Sequence, residues 1–316
     1  MASMLVGYFS YDVIEGRGQG MGTFVLSDIL GNHRITIQNS LQIDFKQTDV
    51  YFDYQNLENR INWGVSFYNY VYPTDIYITG PYETTSYINK DIKLGLNYEY
   101  PISKFHRVEW GGSYNYLAKR VEILDAYNDI DYSSTIRTYN IFQPHFKYVW
   151  DNTRSFYIYA VDGNRTSIEL YSSPDIEQND FTFQKLVIDS RHYKEISFDR
   201  KISFASRFFL GTSWGKNPRV FGIGGSGKNT FFLSDDVLLN PDYVDNVIYN
   251  AEVGTEYEFW SMNNLEFPLR GYNIGEKYGQ NAILMNYELR LPFFMYYVPT
   301  IKFLGQIFGV FFVDIG

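Results

Sequence analysis

Residues 91–100 read DIKLGLNYEY, and their side chains sort by parity. Ile92, Leu94, Leu96, Tyr98 and Tyr100 alternate with Asp91, Lys93, Gly95, Asn97 and Glu99. A period of two is the mark of a β-strand, because successive side chains leave opposite faces of the pleat. HRITIQNSLQIDF (33–45) repeats the pattern: Ile35, Ile37, Leu41, Ile43 and Phe45 share one parity, broken only by Asn39. INWGVSFY (61–68) sets Ile61, Trp63, Val65 and Phe67 against Asn62, Gly64, Ser66 and Tyr68. These strands are near the length of about 9–11 residues that a tilted strand needs to cross a bilayer.

Alternation alone serves two architectures. A soluble sandwich buries its apolar parity, whereas a membrane barrel turns it toward lipid and encloses the polar one. Three features favour the barrel. The strands exceed the five or six residues usual in sandwiches. Tyr, Trp and Phe gather near strand ends (Trp63, Tyr68, Tyr70, Tyr72, Trp150, Trp214 and Phe293 to Tyr297), as interfacial girdles require. Full charges such as Lys93 and Arg207 stand mid-strand on the polar parity, which suits a wet interior.

Composition agrees. Of 316 residues, 19% are aromatic, 30 of them Tyr, and 45% are hydrophobic. The mean hydropathy is nonetheless −0.28, so apolar residues are interleaved with polar ones. No apolar run reaches the roughly 18 residues of a transmembrane helix. A formal charge of −9 argues against nucleic acid, whose phosphates need a basic face. The chain has no Cys, which removes disulfides and thiolate metal sites and fits an envelope compartment. Its N-terminus, MASMLVGYFSYDVIEG, lacks the parts of a signal peptide, so an exported protein would carry this sequence as a fragment.

Thirteen strands are expected near 2–13, 20–30, 33–45, 48–56, 60–71, 90–101, 106–123, 137–150, 165–173, 181–194, 199–215, 281–291 and 300–315. Gly31-Asn32 is placed as a two-residue hairpin turn. Loops rich in Asp, Asn, Ser and Pro are placed at 72–90, 125–134 and 174–180, and residues 216–280 form one long inserted loop. No segment shows a helical stripe.

That loop opens with FGIGGSGKNT (221–230), where Gly222, Gly227 and Lys228 stand as in a phosphate-cradling P-loop. The match fails on chemistry. Asn229 replaces the hydroxyl residue that ligates Mg²⁺, and TFFLSDDVLLNPD opens no helix to hold phosphate. No nucleotide partner is expected. His33, His106, His145 and His192 lack metal-ligand spacing, Asp235, Asp236, Asp242 and Asp245 lack the alternation of a calcium loop, and no nucleophile motif is present. No metal, cofactor or catalytic residue is assigned.

The stretches FGIGGSG (221–227), FPLRGYNIGEKYG (267–279), NAILMNYELRLPFF (281–294) and IFGVFFVDIG (307–316) occur in that order. Together they resemble the barrel of the BamA/TamA-type outer-membrane assembly superfamily, also called the bacterial surface antigen family. The resemblance implies a transmembrane antiparallel β-barrel, all-β, here about thirteen strands of an expected sixteen, with one loop folding back into the lumen. It implies that Gly224 and Gly225 begin this loop after the eleventh strand, and that Arg270, Gly271 and Tyr272 form its tip. In the family the tip arginine packs against a lumen-facing acid and an F-x-D-x-G motif. Those positions match Glu288, and Phe312 with Asp314 and Gly316. Parity is consistent with this, since Phe312 and Asp314 share a face and Glu288 lies opposite Met285, Tyr287 and Leu289.

Two departures stand out. About 45 residues separate Gly225 from Arg270, so 226–268 is an insertion of unassigned role. The chain ends inside the thirteenth strand, so residues 1–316 are expected to be one barrel domain truncated at both ends, with open edges and no closed barrel of its own. SDILGNHRITIQNSLQ and YFDYQNLENRINWGVSFY look more loosely like the first hairpins of surface-antigen barrels. The family implies a bacterial outer-membrane location, outer-membrane lipid and client outer-membrane proteins as partners, periplasmic domains or lipoproteins beside them, and insertion or translocation of envelope proteins without catalysis. A passive porin-like channel, or a structural surface antigen, is the alternative.

Overall fold

Strands form where the alternation runs, and they run further than it does. The computed structural model describes residues 2–12, 17–42, 48–80, 83–124, 130–156, 159–197, 202–224, 269–270, 272, 277–291 and 309–316. The first strands are β1 (Ala2–Asp12), β2 (Arg17–Ser27), β3 (His33–Gln42), β4 (Thr48–Asn56), β5 (Asn62–Gly80) and β6 (Glu83–Pro101). Next come β7 (His106–Leu124), β8 (Ile130–Asp151), β9 (Arg154–Phe156), β10 (Tyr159–Ser173), β11 (Phe183–Ser197) and β12 (Ile202–Gly215). The last are β13 (Phe221–Ile223), β14 (Lys277–Gly279), β15 (Asn281–Leu291) and β16 (Gly309–Ile315). Fourteen strands form one antiparallel sheet in the order β1-β2-β3-β4-β5-β6-β7-β8-β10-β11-β12-β15-β16, with β9 beside β10, while β13 and β14 pair separately. Among the described residues, no helix is long and apolar enough to cross a membrane.

The chain divides into two compact units: Met1–Ser103, Arg107–Phe146 and Tyr171–Thr182 make the first, and Lys104–His106, Lys147–Leu170 and Phe183–Gly316 the second. In the first unit, cross-strand register sorts the side chains cleanly. Phe67 faces Leu94, which faces Tyr114, and one residue away Ser66 faces Gly95, which faces Ser113. The oily row is the open one: Leu94 is 53% and Leu96 41% exposed, whereas Gly95 is buried. On the other face Lys93 and Asn97 are exposed as well, while the buried groups beside them, Gly95, Ser113 and Asn115, are small or polar. A soluble sheet hides such leucines; a sheet solvated by lipid presents them.

Aromatic rings close the strand ends of this unit. Tyr54 meets Trp63 edge-on at 5.4 Å and lies near His33, while Tyr98 stacks on Trp110 at 5.6 Å. Beyond them lie short turns. The β2–β3 connection is five residues, 28–32, rather than the two expected at Gly31-Asn32. Asp28 decides the difference: its backbone carbonyl accepts Gly31 N–H at 3.2 Å and its carboxylate accepts His33 N–H at 2.9 Å. Gly31, with φ 76°, supplies the left-handed step.

The loop expected at 72–90 is instead strand almost throughout. Pro73 suggested a break, but it sits at a register shift between Pro73 and Asp75. A bulge leaves a residue out of the ladder, so a missing N–H is tolerated there. Likewise β8 starts at Ile130, inside the loop expected at 125–134. The inserted loop has structure at its base, where β13 pairs with β14, Phe221 opposite Gly279. Three-residue strands are too short to show periodicity. The remainder of the thirteenth expected strand, 300–308, lies outside the described residues.

Candidate functional site

In the second unit, β11, β12, β15 and β16 lie side by side, and their register builds rows of side chains on one face. Val187, Gly211 and Ala282 form one row, and Asp189, Phe209 and Leu284 the next. Arg191, Arg207, Asn286 and Asp314 follow, then Tyr193, Ala205, Glu288 and Phe312. The face is thus apolar toward one end and ionic beyond it.

The loop tip matches that division residue by residue. Leu269 is 2% exposed and packs in a cluster with Val187, Phe209, Phe221, Ile223, Ala282 and Leu284. Gly316 leaves space for it: a Cβ there would lie 3.2 Å from Leu284 Cδ1 and 3.4 Å from both Leu269 methyls. One residue on, Arg270 reaches the ionic rows. Its Nε donates to Asp314 Oδ2 at 2.7 Å and its Nη2 to Asp314 Oδ1 at 2.7 Å, a two-pronged contact. Nη1 donates to Glu288 Oε1 at 3.0 Å, and the guanidinium carbon lies 3.7 Å from the centre of the Phe312 ring.

Asp314 is the buried member, with its side chain 3% exposed. A carboxylate withdrawn from water needs donors at both oxygens, and this one also accepts Arg270 backbone N–H at 3.2 Å and Asn286 Nδ2 at 2.8 Å. Removing one partner of such a pair costs about 3–5 kcal/mol, because the other charge stays behind unsatisfied. Tyr272 is 43% exposed, and its N–H reaches Leu269 O at 3.4 Å.

The structure therefore brings Arg270, Glu288, Phe312 and Asp314 together and leaves Tyr272 exposed. Gly224 is buried after β13 with φ 151°, a conformation that favours glycine. Gly225, Gly271, the insertion 226–268 and its aspartates lie outside the described residues. Gly222 of the P-loop-like stretch is buried in β13. Among the described residues no group of His, Asp and Glu could hold a metal ion. His33, His106 and His192 bond Tyr54, Tyr148 and Asn164 respectively.

Several contributors escaped the sequence reading. Gly211 makes a slot for Phe221, since a Cβ on it would lie 2.5 Å from that ring. Asp189 takes two bonds from Arg207, at 3.0 and 2.8 Å, and two from Arg191, at 3.3 and 2.8 Å. Arg290 bonds Glu288 from the side opposite Arg270. Asn286, Glu288 and Arg290 share a parity, which was the available signal.

No family model matches the sequence, and no curated protein matches it. The crystal structure of BamA from Haemophilus ducreyi lacking POTRA domains 1–3 superposes on 99% of this chain with a TM-score of 0.59 and 15% identity. The chain has the fold of BamA over that span. It covers 57% of the BamA chain. CdiB from Escherichia coli aligns with 92% of this chain and 48% of its own, at 12% identity and a TM-score of 0.45. In sheet order β12 is the eleventh strand when β9 is set aside, and β13 follows it in the chain.

Proposed function

We propose that this chain is the barrel of a bacterial outer-membrane protein that inserts or translocates other envelope proteins without catalytic chemistry, and that Arg270, Gly271 and Tyr272 are the tip of a lumenal loop lock held by Glu288, Phe312 and Asp314. The observation that carries this reading is the two-pronged Arg270–Asp314 contact next to the buried Leu269. A channel needs no buried ion pair between a loop and its wall, since desolvating both charges is costly. A wall that must loosen during use gains from an internal strut. Templating is the physical route: a strand edge with free N–H and C=O groups accepts a client strand as the next one in the sheet. Client outer-membrane proteins, outer-membrane lipid and periplasmic domains or lipoproteins are the expected partners.

The test is reconstitution of the intact protein in lipid vesicles with an unfolded outer-membrane barrel as client. Faster client folding is expected, with Arg270→Ala abolishing most of the gain while leaving the protein inserted. Steady ion conductance with no effect on client folding would identify a channel instead.

A further inference from the structure

Glu288 is held from two sides. Its Oε1 receives Arg270 Nη1 at 3.0 Å, and its Oε2 receives Arg290 Nε and Nη2 at 3.0 and 2.8 Å. The remaining prong of Arg290 goes elsewhere: Nη1 donates to the backbone carbonyl of Ala160 at 3.1 Å. Ala160 belongs to β10, and two strands, β11 and β12, lie between β10 and β15 in the sheet. The bond therefore reaches across two intervening strands and is not a contact between neighbours. It lands at an irregular point, where the β9–β10 register shifts between Ala160 and Asp162 and Gly163 takes φ 97°. The Tyr193 ring, 5.7 Å from the Arg290 guanidinium carbon, lines the path between the two ends.

Resting on the lock reading above, we propose that Arg290 is its positioning residue: it holds Glu288 in the orientation that receives Arg270 and ties that carboxylate to the β10 backbone, so that loop docking and wall curvature are coupled. The chemistry supports a division of labour. Glu288 and Asp314 are two anions sharing one loop cation, and like charges at one site repel. Arg290 supplies the second cation. Its planar fork spreads its donors over three nitrogens, two toward the carboxylate and one toward Ala160, whereas a lysine offers its N–H bonds from a single nitrogen and cannot span both partners in the same way.

The test uses the intact protein in lipid vesicles, with a nitroxide on Tyr272→Cys, the exposed tip residue. The chain itself has no cysteine to compete. The parent spectrum is expected to be immobilised and Arg270→Gln to release the label. Arg290→Gln is expected to raise the ratio of released to docked label roughly tenfold, the loss of one charge-assisted contact. Arg290→Lys is expected to fall between, and Arg270→Gln/Arg290→Gln to match Arg270→Gln alone. Heat-modifiable gel mobility checks that each variant is folded; if Arg290→Gln is not, Arg290→Lys carries the comparison. A docked label in a folded Arg290 variant, with Arg270→Gln released, overturns the positioning role and spares the lock. A docked label in Arg270→Gln overturns both.

Discussion

Asp28 shows how one side chain decides a turn. Its carboxylate is held below the ordinary carboxylate range, first of all by the backbone N–H of His33. A carboxyl whose folded pKa is depressed adds stability above its unfolded value and loses it as pH falls through the folded one. Asp28→Ala is therefore expected to lower the thermal midpoint at neutral pH, and the gap from the parent should close below about pH 4. A gap that persisted at low pH would show that the side chain acts by packing. At the loop tip, Arg270 and Asp314 were matched as partners through the family resemblance, and parity within each strand was consistent with that match; the β15–β16 register puts Glu288 and Asp314 on one face. The shared parity of Glu288 and Arg290 was a local sign of their contact, but nothing local revealed that Arg290 also reaches the Ala160 carbonyl.

At the scale of elements, β13 is three residues long yet anchors the inserted loop by burying Phe221, 1% exposed, in the slot above Gly211. Because that ring is enclosed, it cannot swing clear of a new methyl. In the intact protein, Gly211→Ala is expected to destabilise by about 1–3 kcal/mol, read from heat-modifiable mobility against temperature. Adding Phe221→Leu to Gly211→Ala should recover part of the loss; a neutral Gly211→Ala would refute the slot. Strand centres were legible because alternation survives in long strands. Strand ends were not, since Pro73 in a bulge and Pro73 in a loop look alike in sequence.

For the whole molecule the governing question is which solvent the oily face meets. Nitroxides placed one at a time along 92–97 in lipid vesicles should alternate: high oxygen accessibility at Ile92, Leu94 and Leu96, and high accessibility to a polar relaxant at Lys93 and Asn97. Protection of Leu94 and Leu96 from both reagents would mean a dry core and end the membrane reading. The fold shared with BamA at 15% identity is consistent with how little such a wall demands. Alternating polarity and turn chemistry suffice, and most individual side chains are free to vary.

By itself the sequence determined which residues alternate and where charges interrupt the alternation. These are local properties, written within a dozen residues by the geometry of the pleat. The tertiary structure decided which rows meet: Leu269 on the apolar rows, Arg270 on Asp314, and Arg290 on a carbonyl 130 residues away in the chain. Pairing register between distant strands depends on hydrogen bonds summed over the whole sheet, and a one-residue slip would turn every side chain to the other face.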